Sequence, residues 1–373
     1  MTTRVLWVTA HHPPSRGGMA TSSDRITSRL RDLGLGVDLV HLTNDIGEVR
    51  ARPVGGGEEL VVPSGADAAD AARTAWNHLV GRAGRYRAVA CFGGPQAMAV
   101  APVYAAWLGV PLVTLLRGND FETGVFSPRR SVLMDALRAS RIVATVSQDM
   151  AHRVGPLLGP GGPTVVTVAN GIDTALWAVT ESDRRRAAAW RAATVPDGHR
   201  VVGLVGQLKA KKGAVDLLEA VRRSGSADRA HVALVGDLDG GVEAWLTADG
   251  GRLSWSHEPF LDRFELLARL PAMDVVALPS RHDGLPNVAL EAATVGVPLL
   301  AAQTGGLADL AAAGPIGFTF DAGDADGLAE ALVGALSCPA ADLHELGAKA
   351  ARTAAGFDAH REAEAYLALF DGL

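Results

Sequence analysis

With 373 residues, the chain exceeds the size at which one hydrophobic core usually keeps growing, so two domains of ordinary size are expected. Its 48% hydrophobic and 20% charged residues exclude a disordered chain, and 43 glycines imply many tight turns between short elements. A net charge of −6 gives no electrostatic reason for a nucleic-acid partner, and two distant cysteines, Cys91 and Cys338, support neither a disulfide framework nor a cysteine zinc site.

The apolar run Val5 to Ala10 is too brief for a signal-peptide core, and no stretch approaches about 18 uninterrupted apolar residues. The expectation is therefore a cytoplasmic protein with no integral membrane segment. Short apolar runs then alternate with helical patterns, which predicts βαβ units and an α/β class. In the first half, strands are expected at Val5–Thr9, Val37–Leu42, Ala88–Phe92, Leu112–Leu116, Ile142–Val146 and Val165–Val168, with helices such as Ala20–Leu33 and Ser131–Ala139 between them.

After Asn170-Gly171-Ile172-Asp173 comes an Arg-rich stretch, Glu181 to Arg191, and a turn at Val195-Pro196-Asp197-Gly198. A second strand series follows at Val201–Val205, His231–Val235, near Leu253–Ser256, Val275–Leu278, Pro298–Ala301 and Phe318–Phe320. The expected domains are 1–180 on the acceptor side and 181–355 on the donor side, two wound sheets facing across a cleft. In the tail, 356–373, Ala363, Tyr366, Leu367 and Phe370 line one helical face that could pack on either domain.

The strongest local signal is Pro279-Ser280-Arg281-His282-Asp283-Gly284-Leu285-Pro286-Asn287-Val288-Ala289-Leu290-Glu291, directly after a predicted strand. Gly284 and Pro286 mark a sharp turn into a helix whose unpaired N–H groups favour phosphate oxygens. In a wound sheet such a loop lies at the ligand crevice. Asn287 and Glu291 share a helical face, and a carboxylate there accepts two ribose hydroxyls without a metal.

This acid-x7-acid pattern within Pro-Ser-x-x-acid-Gly-x-Pro resembles the family 4 glycosyltransferases, retaining enzymes of the GT-B fold, in which Glu usually stands where this chain has Asp283. The resemblance implies transfer of a sugar from a nucleotide-diphosphate sugar to a small-molecule or saccharide acceptor, without cofactor or metal. Asp283 would position the sugar, and Gly284, Leu285, Pro286, Asn287 and Glu291 would hold the donor. Gly206-Gln207-Leu208-Lys209-Ala210-Lys211-Lys212-Gly213 looks like the family's diphosphate-binding segment: Lys212 matches, Gln207 stands in place of an arginine, and Lys209 is a candidate to compensate. Phe260 falls where the family contacts the nucleobase, and Gly305-Gly306 resembles a glycine turn beside the donor.

In the first half, Gly17-Gly18 resembles the glycine turn near the donor's distal phosphate, with Gly18 counted as donor-binding. Leu115-Leu116-Arg117-Gly118-Asn119-Asp120 occupies the family's His-Gly-x-Asp position. Arg117 there cannot act as an ordinary base, but it is a candidate catalytic cation toward phosphate or an anionic acceptor, unless it pairs with Asp120 or another acid. His11, His12 and Asn119 are the acceptor-side candidates. Asp237-Leu238-Asp239 has a metal-ligand spacing but sits in a Gly-rich turn, so no metal site is expected.

A nucleotide-sugar epimerase or hydrolase, or a non-catalytic nucleotide-sugar binding protein, would use the same pocket and remain alternatives. A dinucleotide oxidoreductase lacks its first-strand Gly-x-Gly-x-x-Gly. The donor base and sugar, the acceptor and the oligomeric state have no portable code in the sequence.

Overall fold

A computed structural model describes residues 4–65 and 68–373. The chain divides into two units, Met1–Gly171 together with Ala359–Leu373, and Ile172–Asp358. The boundary thus falls just after Asn170-Gly171, earlier than the expected 180/181, because Ile172 already pairs with the end of the second unit: its N–H donates to the carbonyl of Phe357 at 2.7 Å, beside an Ile172–Asp358 bridge.

The first unit is built on eight strands: β1 (Arg4–Thr9), β2 (Gly36–Thr43), β3 (Arg50–Val54), β4 (Gly57–Pro63), β5 (Tyr86–Phe92), β6 (Leu112–Leu116), β7 (Ile142–Thr145) and β8 (Thr164–Thr167). Their order is β3-β4-β2-β1-β5-β6-β7-β8, parallel except for the β3/β4 hairpin. The run β1 to β2 goes one way and β5 to β8 the other, so the switch point lies between β1 and β5, with the loops after both at the crevice. The hairpin is unforeseen. β3 is almost wholly exposed and carries Pro53, so it has no apolar signal, and Pro is tolerated there because this is an edge strand. Gly55-Gly56 makes the two-residue turn.

The helix Ala359–Asp371 completes this unit by laying Ala359, Ala363, Tyr366 and Phe370 inward, with Tyr366 and Phe370 joining Trp7, Ile26 and Leu30 in one apolar cluster. Its partner is the helix Gly18–Asp32.

The second unit holds six strands, all parallel: β9 (Arg200–Val205), β10 (Ala230–Val235), β11 (Ser254–Glu258), β12 (Val275–Leu278), β13 (Leu299–Gln303) and β14 (Gly317–Asp321), in the order β11-β10-β9-β12-β13-β14. Strands β9 and β12 are buried, as runs covered on both faces must be. The switch point lies between them, which sets the loops 206–213 and 279–286 side by side. Among the described residues no helix is long and apolar enough to cross a membrane.

Candidate functional site

In the second unit the loop after β9 closes with a short turn, Ala210–Lys212, ended by Gly213 in the left-handed region at φ +75°. A Cβ on Gly213 would lie 2.2 Å from the carbonyl oxygen of Pro279, so glycine is what lets this loop press against the one after β12. That approach brings Lys212 and Asp283 together. The Lys212 ammonium forms an ion pair with Asp283 Oδ2, to which Ser280 Oγ also donates at 3.3 Å. The two side chains are 30% and 15% exposed, reachable by a ligand yet partly shielded from solvent screening.

The Asp283 segment is gripped from its other side. Gly306 N–H donates to the carbonyl of Gly284 at 2.7 Å, and a Cβ on Gly305 would meet the Asp283 carbonyl oxygen at 1.8 Å. Leu285 is buried beneath, and Pro286 leads into the helix Asn287–Thr294, on which half-buried Asn287 and Glu291 share a face. The Gly305-Gly306 turn is therefore a steric cradle for the acidic loop, a job that its sequence pattern did not disclose.

Gln207 and Lys209 are exposed in the loop after β9. This loop is also tied to the one after β10: Leu208 N–H donates to the Asp237 carbonyl at 3.0 Å, and Asp239 accepts from Ala210 N–H at 3.2 Å while capping the helix Gly240–Asp249 through Gly241 and Val242 N–H. The Asp239 carboxylate thus works as a cap and a tie. Phe260 is 43% exposed after the edge strand β11, with β10 between that strand and β9. Just before it, Glu258 is held by Arg269 at 2.5 and 2.7 Å.

In the first unit, the loops after β1, β5 and β6 converge. A Cβ on Gly94, at φ +79°, would touch His11 Nε2 at 3.1 Å, and one on Gly93 would meet Met19, Asp120 and Arg117. His11 is half-buried, and burial pushes its pKa down. Gly18 opens the helix Gly18–Asp32 and Asn119 opens the turn Asn119–Gly124, both exposed.

Two expectations need correction. His12 is an interior residue, 2% exposed, with Nδ1 at 3.1 Å from Ser23 Oγ, which also accepts from Trp7 Nε1 at 3.2 Å. Its Nε2 lies 3.7 Å from Glu59, so it braces the inside of the unit and is not an acceptor-facing group. Arg117 likewise turns inward. Its guanidinium donates to Tyr366 hydroxyl at 2.8 Å and to Asn170 Oδ1, and lies 3.6 Å from Glu362. With its side chain 3% exposed and these partners in place, Arg117 ties the strand end to the last helix and does not present a cation to substrate. Its backbone still shapes the crevice. The Asp120 carboxylate accepts from the N–H groups of Arg117, Gly118 and Phe121 at 2.9 to 3.0 Å, although burial raises its pKa.

Residues 187–353 match the model of the family described as glycosyl transferases group 1. The glycogen synthase of Mycobacterium tuberculosis is 30% identical over 281 residues, 71% of this chain and 64% of that enzyme, so the chain spans somewhat under two thirds of that relative's length. The 2-deoxystreptamine glucosyltransferase of Streptomyces kanamyceticus is 27% identical over 291 residues, 74% of each. Among solved structures, Anabaena HepE in complex with UDP and glucose superposes with a TM-score of 0.74 at 19% identity, covering 99% of this chain and all of that one.

Proposed function

We propose that this chain, which belongs to the group 1 glycosyl transferases and has their GT-B fold, transfers a sugar from a nucleoside-diphosphate donor to a hydroxyl of a small-molecule or saccharide acceptor. The observation that carries the reading is the meeting of Lys212 and Asp283 at the switch point between β9 and β12. An ammonium there neutralises the charge that builds on a departing diphosphate, and the adjoining helix start at Asn287 adds N–H groups aimed at the same oxygens. Asp283 takes the hydroxyls of the transferred sugar, and Glu291, one turn into the helix Asn287–Thr294, takes the ribose.

The sugar leaves with retained configuration, by attack on the face from which the diphosphate departs, and the departing phosphate accepts the acceptor's proton. Metal is not required, because Lys212 and backbone N–H groups supply the positive field. That HepE binds UDP and glucose supports a nucleotide-sugar donor. The even coverage of the 2-deoxystreptamine glucosyltransferase, 74% of each chain, supports a small hydroxyl-bearing acceptor of the kind found in natural-product biosynthesis.

The test is a thermal-shift panel with UDP, GDP, ADP and dTDP. One diphosphate at about a hundred times its Kd is expected to stabilise by about 2.7 kcal/mol. Glu291→Ala is expected to abolish that shift, and Asp283→Ala to bind the diphosphate at least as well as the parent but lose transfer. Unchanged melting with all four nucleotides contradicts the donor site.

A further inference from the structure

We propose that Lys212 and Asp283 are an exchangeable pair through which the donor site discriminates the sugar-bearing nucleotide from the bare nucleoside diphosphate. This rests on the donor-site reading above and names a property of the same site. Among the described residues the carboxylate of Asp283 has two partners, the Lys212 ammonium and the Ser280 hydroxyl. A diphosphate and this carboxylate are two anions competing for one ammonium.

The close approach of Gly213 to Pro279 and of Gly305 to the Asp283 carbonyl leaves the loops no room to move inward, and the Gly306 N–H bond to Gly284 at 2.7 Å tethers the acidic loop on its other side, so side chains resolve the competition. When a nucleotide sugar binds, phosphate oxygens take Lys212 and sugar hydroxyls donate to Asp283, so both members of the pair are satisfied. When a bare diphosphate binds, Lys212 changes partner, and Asp283 is left with Ser280 and faces phosphate oxygens of like charge, an arrangement that disfavours the ionised carboxylate. The pair therefore favours substrate over spent product, and its re-formation helps expel the diphosphate after transfer. No bond is made or broken in this exchange beyond hydrogen bonds and the ion pair itself.

The consequence runs against the usual effect of mutating a binding residue: removing the charge at position 283 tightens diphosphate binding. Isothermal titration of the parent, Asp283→Asn, Asp283→Glu and Lys212→Gln with UDP, GDP, ADP and dTDP reads it directly. For the base that binds the parent, Asp283→Asn is expected to bind the diphosphate about tenfold more tightly, with Asp283→Ser as a second neutral variant. Asp283→Glu keeps the charge and shows no such gain. In the Lys212→Gln background the gain from Asp283→Asn shrinks to what relief of like-charge repulsion alone supplies, because the contested ammonium is gone. Parent and Asp283→Asn binding the same diphosphate equally well, or the variant binding it less well, overturns the exchange and leaves the donor site standing. If none of the four nucleotides binds any of the proteins, the donor site itself is refuted.

Discussion

The guanidinium of Arg117 donates across 2.8 Å to the hydroxyl of Tyr366, a bond between residues 249 positions apart in the chain. Glu362, one turn earlier on the same helix, lies 3.6 Å from that guanidinium and accepts from Arg25 at 2.9 Å. One buried carboxylate therefore answers two arginines, one on the crevice-lining turn after β6 and one on the helix Gly18–Asp32. Removing one partner of such a cluster leaves buried charge uncompensated, so Glu362→Ala is expected to destabilise the first unit by about 3 kcal/mol. Tyr366→Phe, which deletes one hydrogen bond to a charged group, is expected to cost about 1 to 2 kcal/mol. Urea unfolding followed by tryptophan fluorescence, with Trp7 in the adjoining core, measures both. Equal midpoints for Glu362→Ala and the parent contradict the structural role assigned here to Arg117.

Glycines at the ends of β9 and β10 set the second unit's crevice. Gly236 has φ +126°, and a Cβ on it would lie 1.9 Å from the carbonyl oxygen of Gly206. Gly236→Ala therefore forces two strand-end turns apart, with an expected loss above about 2 kcal/mol and weaker nucleotide binding through the displaced 206–213 loop. Gly250→Ala is the control: φ is +65° but nothing lies within 4 Å of the added carbon, so only about 1 kcal/mol of backbone strain is expected. Calorimetric melting that ranks the two variants equally contradicts the close approach.

Each unit carries a buried histidine whose pKa is pushed down to about 4. Burial is the main cause in both. Neighbouring His12 adds to it at His41, and His199 and Arg191 add at His231, which lies between Ser254 Oγ and Ser256 Oγ at 2.9 Å each. As pH falls below the ordinary value near 6.5 the unfolded chain binds these protons, while the folded chain refuses them until about pH 4. The stability that these two histidines govern is therefore fully present above about pH 6.5 and declines between there and pH 4, by at most about 3 kcal/mol per histidine. Urea titrations at pH 7.5 and 5.0 should show the loss, and His231→Gln should flatten it for the second unit. An unchanged pH dependence in that variant assigns the loss to other groups.

Legibility followed distance in the chain. The strands buried on both faces, β9 and β12 among them, announce themselves as apolar runs, whereas β11 alternates half-buried and exposed residues at a sheet edge and leaves a weak trace. The acidic loop could be read because Asp283, Pro286 and Glu291 lie within one turn and one helix, so local spacing fixes their relation. The inward turn of Arg117 is hidden in the sequence for the opposite reason. Its partners come from the far end of the chain, and only a carboxylate at Glu362, beside the apolar stripe Ala363, Tyr366 and Phe370, hinted that a buried cation must meet it. Nor does the sequence distinguish His11 from His12: two adjacent histidines leaving a strand buried on both faces carry no mark of which one turns inward.

The discontinuous make-up of the first unit orders its birth. Residues 359–373 are needed to finish it, yet they are synthesised after the whole of 172–358, so the unit begun first is closed last. During that interval the groove lined by Trp7, Ile26 and Leu30 waits uncovered while the later-made unit can already fold. Truncations that remove 359–373 therefore burden the unit begun first, the one that a glance at the linear map would regard as remote.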